Sequence, residues 1–403
     1  MSRANRVWRR AIPALVWLYS GLHLVKTGVV FAWGNFMGDF LYNFPAPKVA
    51  LWANRSSIYF ESPSQALYGG VQSQRWGYGP LFHLVTMPLL FLGPLRDGYR
   101  IWLLVNYAFL VAGCWLLYRL TMAGRPTLMS LTAFGVMVLN YHPLYEAVLA
   151  RNIEIFEWLL VLGAMSCYAH RRDRLSGLLI GLATMTKFLP GLFLLYFAIK
   201  RRWRAFWTAG LTIGIIGALT QPLLGWQHSI TLAQLLQKDA PSGFAVLHSN
   251  LTVSGAVLRL ARLMGFEPYW VPVSQLCLAI LAALFVWLLW RLRFSEHWKL
   301  EWSLVAIAMI TLIPHNQPHY LIFLLIPYAV LLDEVMTRLR WGNWRWILLL
   351  ATSWGLTGWP IPLSLVHRIF GLTIEQLLWL PFMLCGMVLL VGMVVKRLNE
   401  SIV

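Results

Sequence analysis

Long apolar runs separated by short basic clusters are the feature that most constrains this chain. Many of the runs approach the ~20 residues that an α-helix needs to cross a lipid bilayer. Only 12% of the residues are charged, which is too little polar surface to cover a water-soluble globule of 403 residues. In the hydrocarbon core a helix satisfies its own backbone groups, whereas an open sheet does not. The sequence therefore predicts an all-α polytopic membrane protein.

The basic clusters indicate which side each loop faces. The formal net charge is +18, and the Lys and Arg residues stand in tight groups between the apolar runs. Cytoplasmic loops of membrane proteins carry such groups, so the excess indicates orientation and argues against a nucleic-acid partner. Arg residues precede the first apolar run, and Lys396 and Arg397 follow the last. We therefore expect a retained first helix at 11–33 and cytoplasmic N- and C-termini.

The apolar runs predict one integral membrane domain, residues 1–403, with roughly 12 membrane-embedded helices. Two long loops interrupt the helices on the outer side, at 34–99 and at 225–269. The first loop contains apolar pieces at 48–52 and 80–92, which are short for an upright span and are expected to lie along the membrane surface. The other predicted spans are 101–118, 127–145, 155–169, 206–224, 270–290, 302–313, 321–332, 346–366 and 376–395.

Residues 175–199 are the irregular part of this topology. Basic clusters flank them at 171–174 and 200–204, so one straight span would place the second cluster outside. A hairpin of two short helices instead keeps both clusters on the cytoplasmic side. We expect the break at 186–190, since Pro190 lacks a backbone donor. Broken backbone at membrane depth must be buried in protein or line a wet cavity, so the break predicts a site that contains Lys187.

Acidic residues are scarce, and one of them follows the first helix directly. The chain has 15 Asp and Glu residues, and Asp39 lies in the stretch 38–61 of the first outer loop. The topology places Lys187, Arg259 and His319 at the same outer face. No nucleotide is available there, so an enzyme at this face needs a substrate that is already activated and delivered by the membrane. For glycosyl transfer this means a polyprenyl-phosphate sugar. We expect Asp39 to accept the proton of an acceptor hydroxyl, and the three cationic groups to stabilise the departing phosphate.

Other residues of the outer loops are secondary candidates. Glu61 is either a solvated loop acid or a second carboxylate that holds a cation or the acceptor. Tyr42 has an aromatic face suited to stacking on a sugar ring. His315 and Asn250 complete this secondary set. No ligand spacing indicates a metal, no cofactor is expected, and the single Cys residues inside apolar segments favour packing roles.

Short motifs occur in a fixed order along most of the chain. They are Gly38-Asp39-Phe40-x-Tyr42; Tyr78-Gly79-Pro80-Leu81; Gly181-Leu182-Ala183 leading into Lys187-x-x-Pro190; Ser249-Asn250-Leu251-Thr252-x-Ser254-Gly255 with Arg259; and Ile313-Pro314 followed by His319-Tyr320. In this order and spacing the chain resembles the GT-C superfamily of polytopic glycosyltransferases, specifically family GT87. It departs from the family at Arg151-Asn152-Ile153-Glu154, where a Gly-Gln-x-Asn element is frequent, and it matches one His of a frequent pair.

The resemblance implies a GT-C-type helical bundle that carries out an inverting transfer with Asp39 as base. The implied donor is a polyprenyl-phosphate sugar, with mannose first among the sugars, and the implied acceptor is a lipid or glycan. The reaction would take place at the periplasmic face of a bacterial inner membrane. Membrane lipids are the other expected partners.

Two other functions remain open at this point. A broken helix with an intramembrane Lys also marks transport sites, so a transporter or flippase of a lipid-linked substrate is an alternative. Against it, the acids crowd one face, and the sequence shows no symmetry between two halves. A catalytically inactive subunit with the same fold is the other alternative, and it would tolerate loss of Asp39.

Overall fold

The computed structural model describes residues 14–34, 79–91, 95–122, 127–150, 153–224, 252–313, 317–337, 344–358 and 372–400. Within these ranges all regular structure is helical, as the sequence predicts. Numbered in chain order, the helices are α1 (14–34, π-helical over Leu24–Phe31), α2 (Pro80–Thr86), α3 (Leu95–Thr121), α4 (Leu128–Leu139), α5 (His142–Ala150), α6 (Glu154–Ala169), α7 (Asp173–Thr186), α8 (Leu192–Ile199), α9 (Trp203–Leu224), α10 (Val253–Leu263), α11 (Trp270–Arg291), α12 (Trp298–Thr311), α13 (Leu325–Thr337), α14 (Trp344–Gly358) and α15 (Leu372–Glu400). Turns of 3-10 helix cover Met87–Phe91, Leu189–Gly191, Glu267–Tyr269 and Pro318–Leu324.

Several helices have the length and composition of membrane spans. Among the described residues, three segments qualify fully, namely Asp97–Thr121, Glu267–Arg291 and Pro318–Thr337. Shorter apolar helices include Ala14–Val30 and Leu128–Leu139. Large apolar side chains such as Val111 and Leu211 are exposed on the outer surface, where lipid rather than water suits them. A polytopic helical membrane protein is therefore supported, while the number of roughly 12 embedded helices stays a prediction.

The centre of the bundle is formed by α12, α13 and the 3-10 turn before α13. Nearly every side chain from Leu300 to Ile310 is buried, and so are those from His319 to Leu331. Helix α6 packs against this turn and buries the whole of Trp158. Because these elements are apolar all round, they lie inside the protein and the more exposed helices surround them.

One predicted span is wrong in its detail. Residues 127–145 were expected to form a single helix, but α4 ends at Leu139 and α5 begins at His142. Pro143 lies in the first turn of α5, a position where a missing backbone donor is tolerated and which favours a new helix start. Tyr141, between the two helices, is fully buried and donates its hydroxyl to the Leu321 carbonyl at 3.2 Å. The turn therefore anchors α4 and α5 to the central 3-10 turn.

The predicted hairpin at 175–199 is confirmed. Helix α7 ends at Thr186, and Lys187 takes an extended conformation with φ −159° and ψ 133° before the 3-10 turn and α8. Arg202, just after α8, lies 3.5 Å from the Asp173 carboxylate at the start of α7. The chain thus returns to the level at which α7 began.

Helices α7 and α9 run parallel to each other, and small residues allow them to pack closely. An added Cβ at Gly177 would lie 2.2 Å from the Ala205 carbonyl oxygen, and one at Gly181 would lie 2.8 Å from that of Ala209. Such four-residue spacing of small side chains is a common basis of helix contact in membranes. Since α7 and α9 run parallel, α8 between them runs back, as a hairpin requires.

Candidate functional site

A buried ion pair lies at the break between α7 and α8. The Lys187 ammonium donates to Glu154 Oε1 and lies 3.8 Å from the centroid of the Tyr320 ring. The Lys187 side chain is 12% exposed and that of Glu154 is fully buried. An intramembrane charge is costly unless it is paired, and here a carboxylate and an aromatic face compensate the ammonium together.

Glu154 joins the side chains of Lys187 and His319 through a single oxygen. It is the first residue of α6, and His319 Nε2 lies 3.5 Å from the same Oε1 that accepts from Lys187. The His319 ring stacks on Tyr320 with 4.7 Å between the centroids. Among the described residues, Oε2 of Glu154 has no hydrogen-bond partner. We refer to Glu154, Lys187, His319 and Tyr320 as the Glu154 cluster.

Further titratable groups surround the cluster. Glu157 is fully buried one turn along α6, and neither of its oxygens has a hydrogen-bond partner within the described ranges. On α5, Glu146 pairs with His142 at 3.0 Å and is close enough to His319 for a charge interaction. Across the described ranges, no group of three or more His, Cys, Asp or Glu side chains is arranged to hold a metal ion. The local chemistry is therefore that of paired charges and imidazoles.

The start of α2, at the end of the predicted first outer loop, docks directly on the break. The Gly79 N–H donates to the Thr186 carbonyl at 2.9 Å, and a Cβ on Gly79 would lie 2.2 Å from the Met185 carbonyl oxygen. Pro80 and Phe82 are buried, and α2 packs against α7 and α9. The first turn of this apolar piece packs into the bundle, since a glycine permits such a close approach. That the piece lies along the membrane surface stays a prediction.

Replacing Gly79 by Ala is expected to lower stability by roughly 1–3 kcal/mol, the usual cost of overpacking. The backbone of Gly79 has φ −69°, which alanine also adopts, so the effect would come from the clash alone. Thermal unfolding in detergent measures it. Gly210→Ala is the matched control, because a Cβ there would meet nothing within 4 Å. An unchanged melting temperature for Gly79→Ala would contradict the close docking.

A second buried Lys–Glu pair lies at the opposite end of α6. Lys200 Nζ is 2.9 Å from Glu301 Oε1 and 2.6 Å from the Ser295 carbonyl oxygen, while Tyr196 donates to Glu301 Oε2 at 2.8 Å. The hydroxyl oxygens of Tyr196 and Tyr168 lie 3.2 Å apart. Tyr168 is fourteen residues after Glu154, which corresponds to about 21 Å along α6. We call these residues the Glu301 cluster. Both carboxylate oxygens of Glu301 accept hydrogen bonds, as expected of a cluster that stabilises the fold.

Comparison of the sequence with known proteins identifies the family of this chain. The sequence profile of glycosyltransferase family 87 matches residues 76–314. The chain belongs to glycosyltransferase family 87. In this family 87 chain the matched range contains Gly79, Glu154 and Lys187, and ends before His319. Asp39 precedes the matched range.

Two curated relatives carry the same description, polyprenol-phosphate-mannose-dependent alpha-(1-2)-phosphatidylinositol mannoside mannosyltransferase. The protein from Mycolicibacterium smegmatis is 29% identical over 219 residues, which cover 52% of this chain and 48% of the relative. The protein from Mycobacterium tuberculosis is 29% identical over 178 residues, which cover 38% of this chain and 40% of the relative. The matches therefore span about half or less of each relative. No solved structure matches this chain.

The structure places some of the predicted site residues of the family 87 chain together, and others lie elsewhere or outside the described ranges. Lys187 and His319 lie together as expected, joined by Glu154. Arg259 is partly buried on α10, a helix that packs mainly on α11, and its role stays a prediction. The candidates that lie outside the described residues are Asp39, Tyr42, Glu61, Asn250 and His315.

Sequence reasoning did not identify Glu154 as the partner of Lys187. It noted Glu154 only as an acid at the outer face and as a departure from the family pattern. The usable signal was the cost of an unpaired intramembrane charge, which requires an acid near Lys187. Glu157 was missed altogether, since a lone acid inside an apolar run has no motif to mark it.

Proposed function

We propose that this family 87 chain transfers a sugar, mannose in the first instance, from a polyprenyl-phosphate donor to a lipid or glycan acceptor. The observation that carries the proposal is the Glu154 cluster, which brings Lys187 and His319 together at the break between α7 and α8. The printed descriptions of the two mycobacterial relatives support mannose on a polyprenol phosphate as the donor.

The cluster has the composition of a phosphate site. Lys187 supplies an ammonium, His319 a ring N–H, and both are nearly buried. Hydrogen-bond donors held in a water-poor site stabilise developing negative charge more strongly than they would in water. In sugar transfer this charge develops on the phosphate that leaves the anomeric carbon.

The proposed reaction is one displacement with inversion. The Asp39 carboxylate accepts the proton of the acceptor hydroxyl while the hydroxyl oxygen forms a bond to the anomeric carbon. The bond between that carbon and the phosphate oxygen breaks, and polyprenyl phosphate leaves with the electron pair. Lys187 and His319 would receive the additional charge on the phosphate, with Arg259 a further candidate for this role.

The outer face of the inner membrane is the proposed location. Gly79 fastens the end of the first outer loop to the break, so the loop that carries Asp39 ends beside Lys187. The Arg202 end of the hairpin carries the basic clusters typical of the cytoplasmic side. Polyprenyl-phosphate sugars are donors that can reach the outer leaflet without nucleotide.

Transfer by the purified chain in lipid nanodiscs tests the proposal. We expect radiolabelled mannose to pass from polyprenyl-phosphate mannose to an acceptor such as phosphatidylinositol mannoside, with one polyprenyl phosphate released per transfer. GDP-mannose should give no transfer. Absence of transfer with every polyprenyl-phosphate sugar and acceptor tried would contradict the proposal, and lipid-flipping assays would then test the transporter alternative.

A further inference from the structure

The charge of Lys187 is already compensated while no phosphate is bound. Its ammonium donates to Glu154 Oε1 and also faces the Tyr320 ring. A donor phosphate that uses Lys187 must therefore compete with a fully buried carboxylate. Competition of this kind sets how tightly a phosphate binds and how readily it leaves.

We propose that Glu154 is an internal counter-ion that holds Lys187 and His319 until a donor phosphate takes its place. This inference rests on the proposed function. It makes Glu154 a positioning residue that lowers the affinity of the site for the polyprenyl phosphate product. The leaving phosphate gains charge as its bond to the sugar breaks, so without a competing anion it would remain bound to Lys187. Glu154 restores the ion pair when the product departs.

The contacts of Glu154 fit exchange with a phosphate. Lys187 and His319 both lie against one carboxylate oxygen, Oε1, while Oε2 accepts no hydrogen bond from any described residue. A phosphate has several acceptor oxygens and can accept from Lys187 and His319 separately, with charge-assisted bonds to each. The Glu301 carboxylate differs, since Lys200 and Tyr196 occupy its two oxygens separately.

Binding of a short-chain polyprenyl monophosphate to the full chain tests the inference. Glu154→Gln should bind this probe roughly tenfold more tightly than wild type, near the lower end of what a close charge pair contributes. The probe should also raise the melting temperature of Glu154→Gln more than that of wild type. In turnover, both the KM for the lipid donor and kcat should fall, because product release becomes slower. A merely structural role would worsen binding and turnover together.

Matched variants separate charge competition from general damage. Glu301→Gln removes the carboxylate of the other buried Lys–Glu pair, so it should lower stability without tightening phosphate binding. Glu154→Gln combined with Lys187→Met should lose the gain in affinity. The corresponding polyprenol, which lacks the phosphate, should bind wild type and Glu154→Gln equally.

The outcomes distinguish this inference from the proposed function. Wild type that neither transfers sugar nor binds the monophosphate overturns the function itself. Wild type that does both, with unchanged or weaker binding by Glu154→Gln, overturns the counter-ion role alone. If Glu154→Gln does not fold, Glu154→Asp retracts the carboxylate by one methylene and should tighten binding by a smaller factor. Unchanged or weaker binding by Glu154→Asp would then overturn the inference.

Discussion

Replacing Asp39 by Asn is expected to lower the transfer rate by about 10²–10⁴-fold, the usual contribution of a positioned general base. The amide keeps the size of the side chain and removes only its capacity to accept the proton of the acceptor hydroxyl. Binding of polyprenyl monophosphate should remain near that of wild type, because Lys187 and His319 are untouched. Steady-state release of polyprenyl phosphate measures the rate.

Asp173→Asn is the matched control for Asp39→Asn. Asp173 lies at the opposite end of α7 from Lys187 and makes a partly exposed contact with Arg202. Exposed ion pairs contribute little, so Asp173→Asn should retain nearly the wild-type rate. If Asp39→Asn transfers sugar at the wild-type rate, Asp39 is not the base, and Glu61 becomes the first acid of the outer loop to test.

Replacing Lys187 by Met should destabilise the chain by roughly 3–5 kcal/mol, because the buried Glu154 carboxylate would lose its ammonium partner and keep only the His319 ring, 3.5 Å away. Thermal unfolding in detergent measures this loss. Adding Glu154→Gln should recover most of the stability, since both charges of the pair are then removed, but it should not recover sugar transfer. Recovery of stability without activity would separate the structural role of Lys187 from its chemical role.

Lys200→Met is the companion variant at the Glu301 cluster. It should also lose stability, because Glu301 is as fully buried as Glu154. The folded fraction of Lys200→Met should nevertheless retain turnover, since the Glu301 cluster lies about 21 Å along α6 from the proposed site. If Lys187→Met is as stable as wild type, the ion pair with Glu154 does not hold in solution.

The arrangement at 175–199 followed from local signals in the sequence. Because basic clusters flank one apolar segment on both sides, the segment is expected to return to the side of the membrane from which it started. Pro190 marks where a helix cannot continue. The confirmed break at Lys187 thus needed no knowledge of distant residues. The same reasoning about sides predicted that Lys187 and His319 approach each other, although they are far apart in the sequence.

The partners inside the bundle did not follow from such signals. Nothing in the composition around Glu154 indicates that it pairs with Lys187 rather than with a loop cation, because the choice depends on how α6 rotates against α7. The pairing of Lys200 with Glu301 was missed for the same reason. The division of 127–145 into two helices depends on Tyr141, whose buried hydroxyl bonds to a residue on the central 3-10 turn.

The short distance between Asp173 and Arg202 also bears on whether the segment between them crosses the membrane an odd or an even number of times. Since these residues lie side by side, the segment between them returns to the level at which it began. On the proposed topology it therefore adds no net crossing, and one compartment receives both ends. Had the chain continued straight at Lys187, every later loop would meet the other compartment, including the one that leads to Arg259. On the proposed topology, the extended backbone at Lys187 and the 3-10 turn after it therefore decide on which side of the membrane the later loops lie.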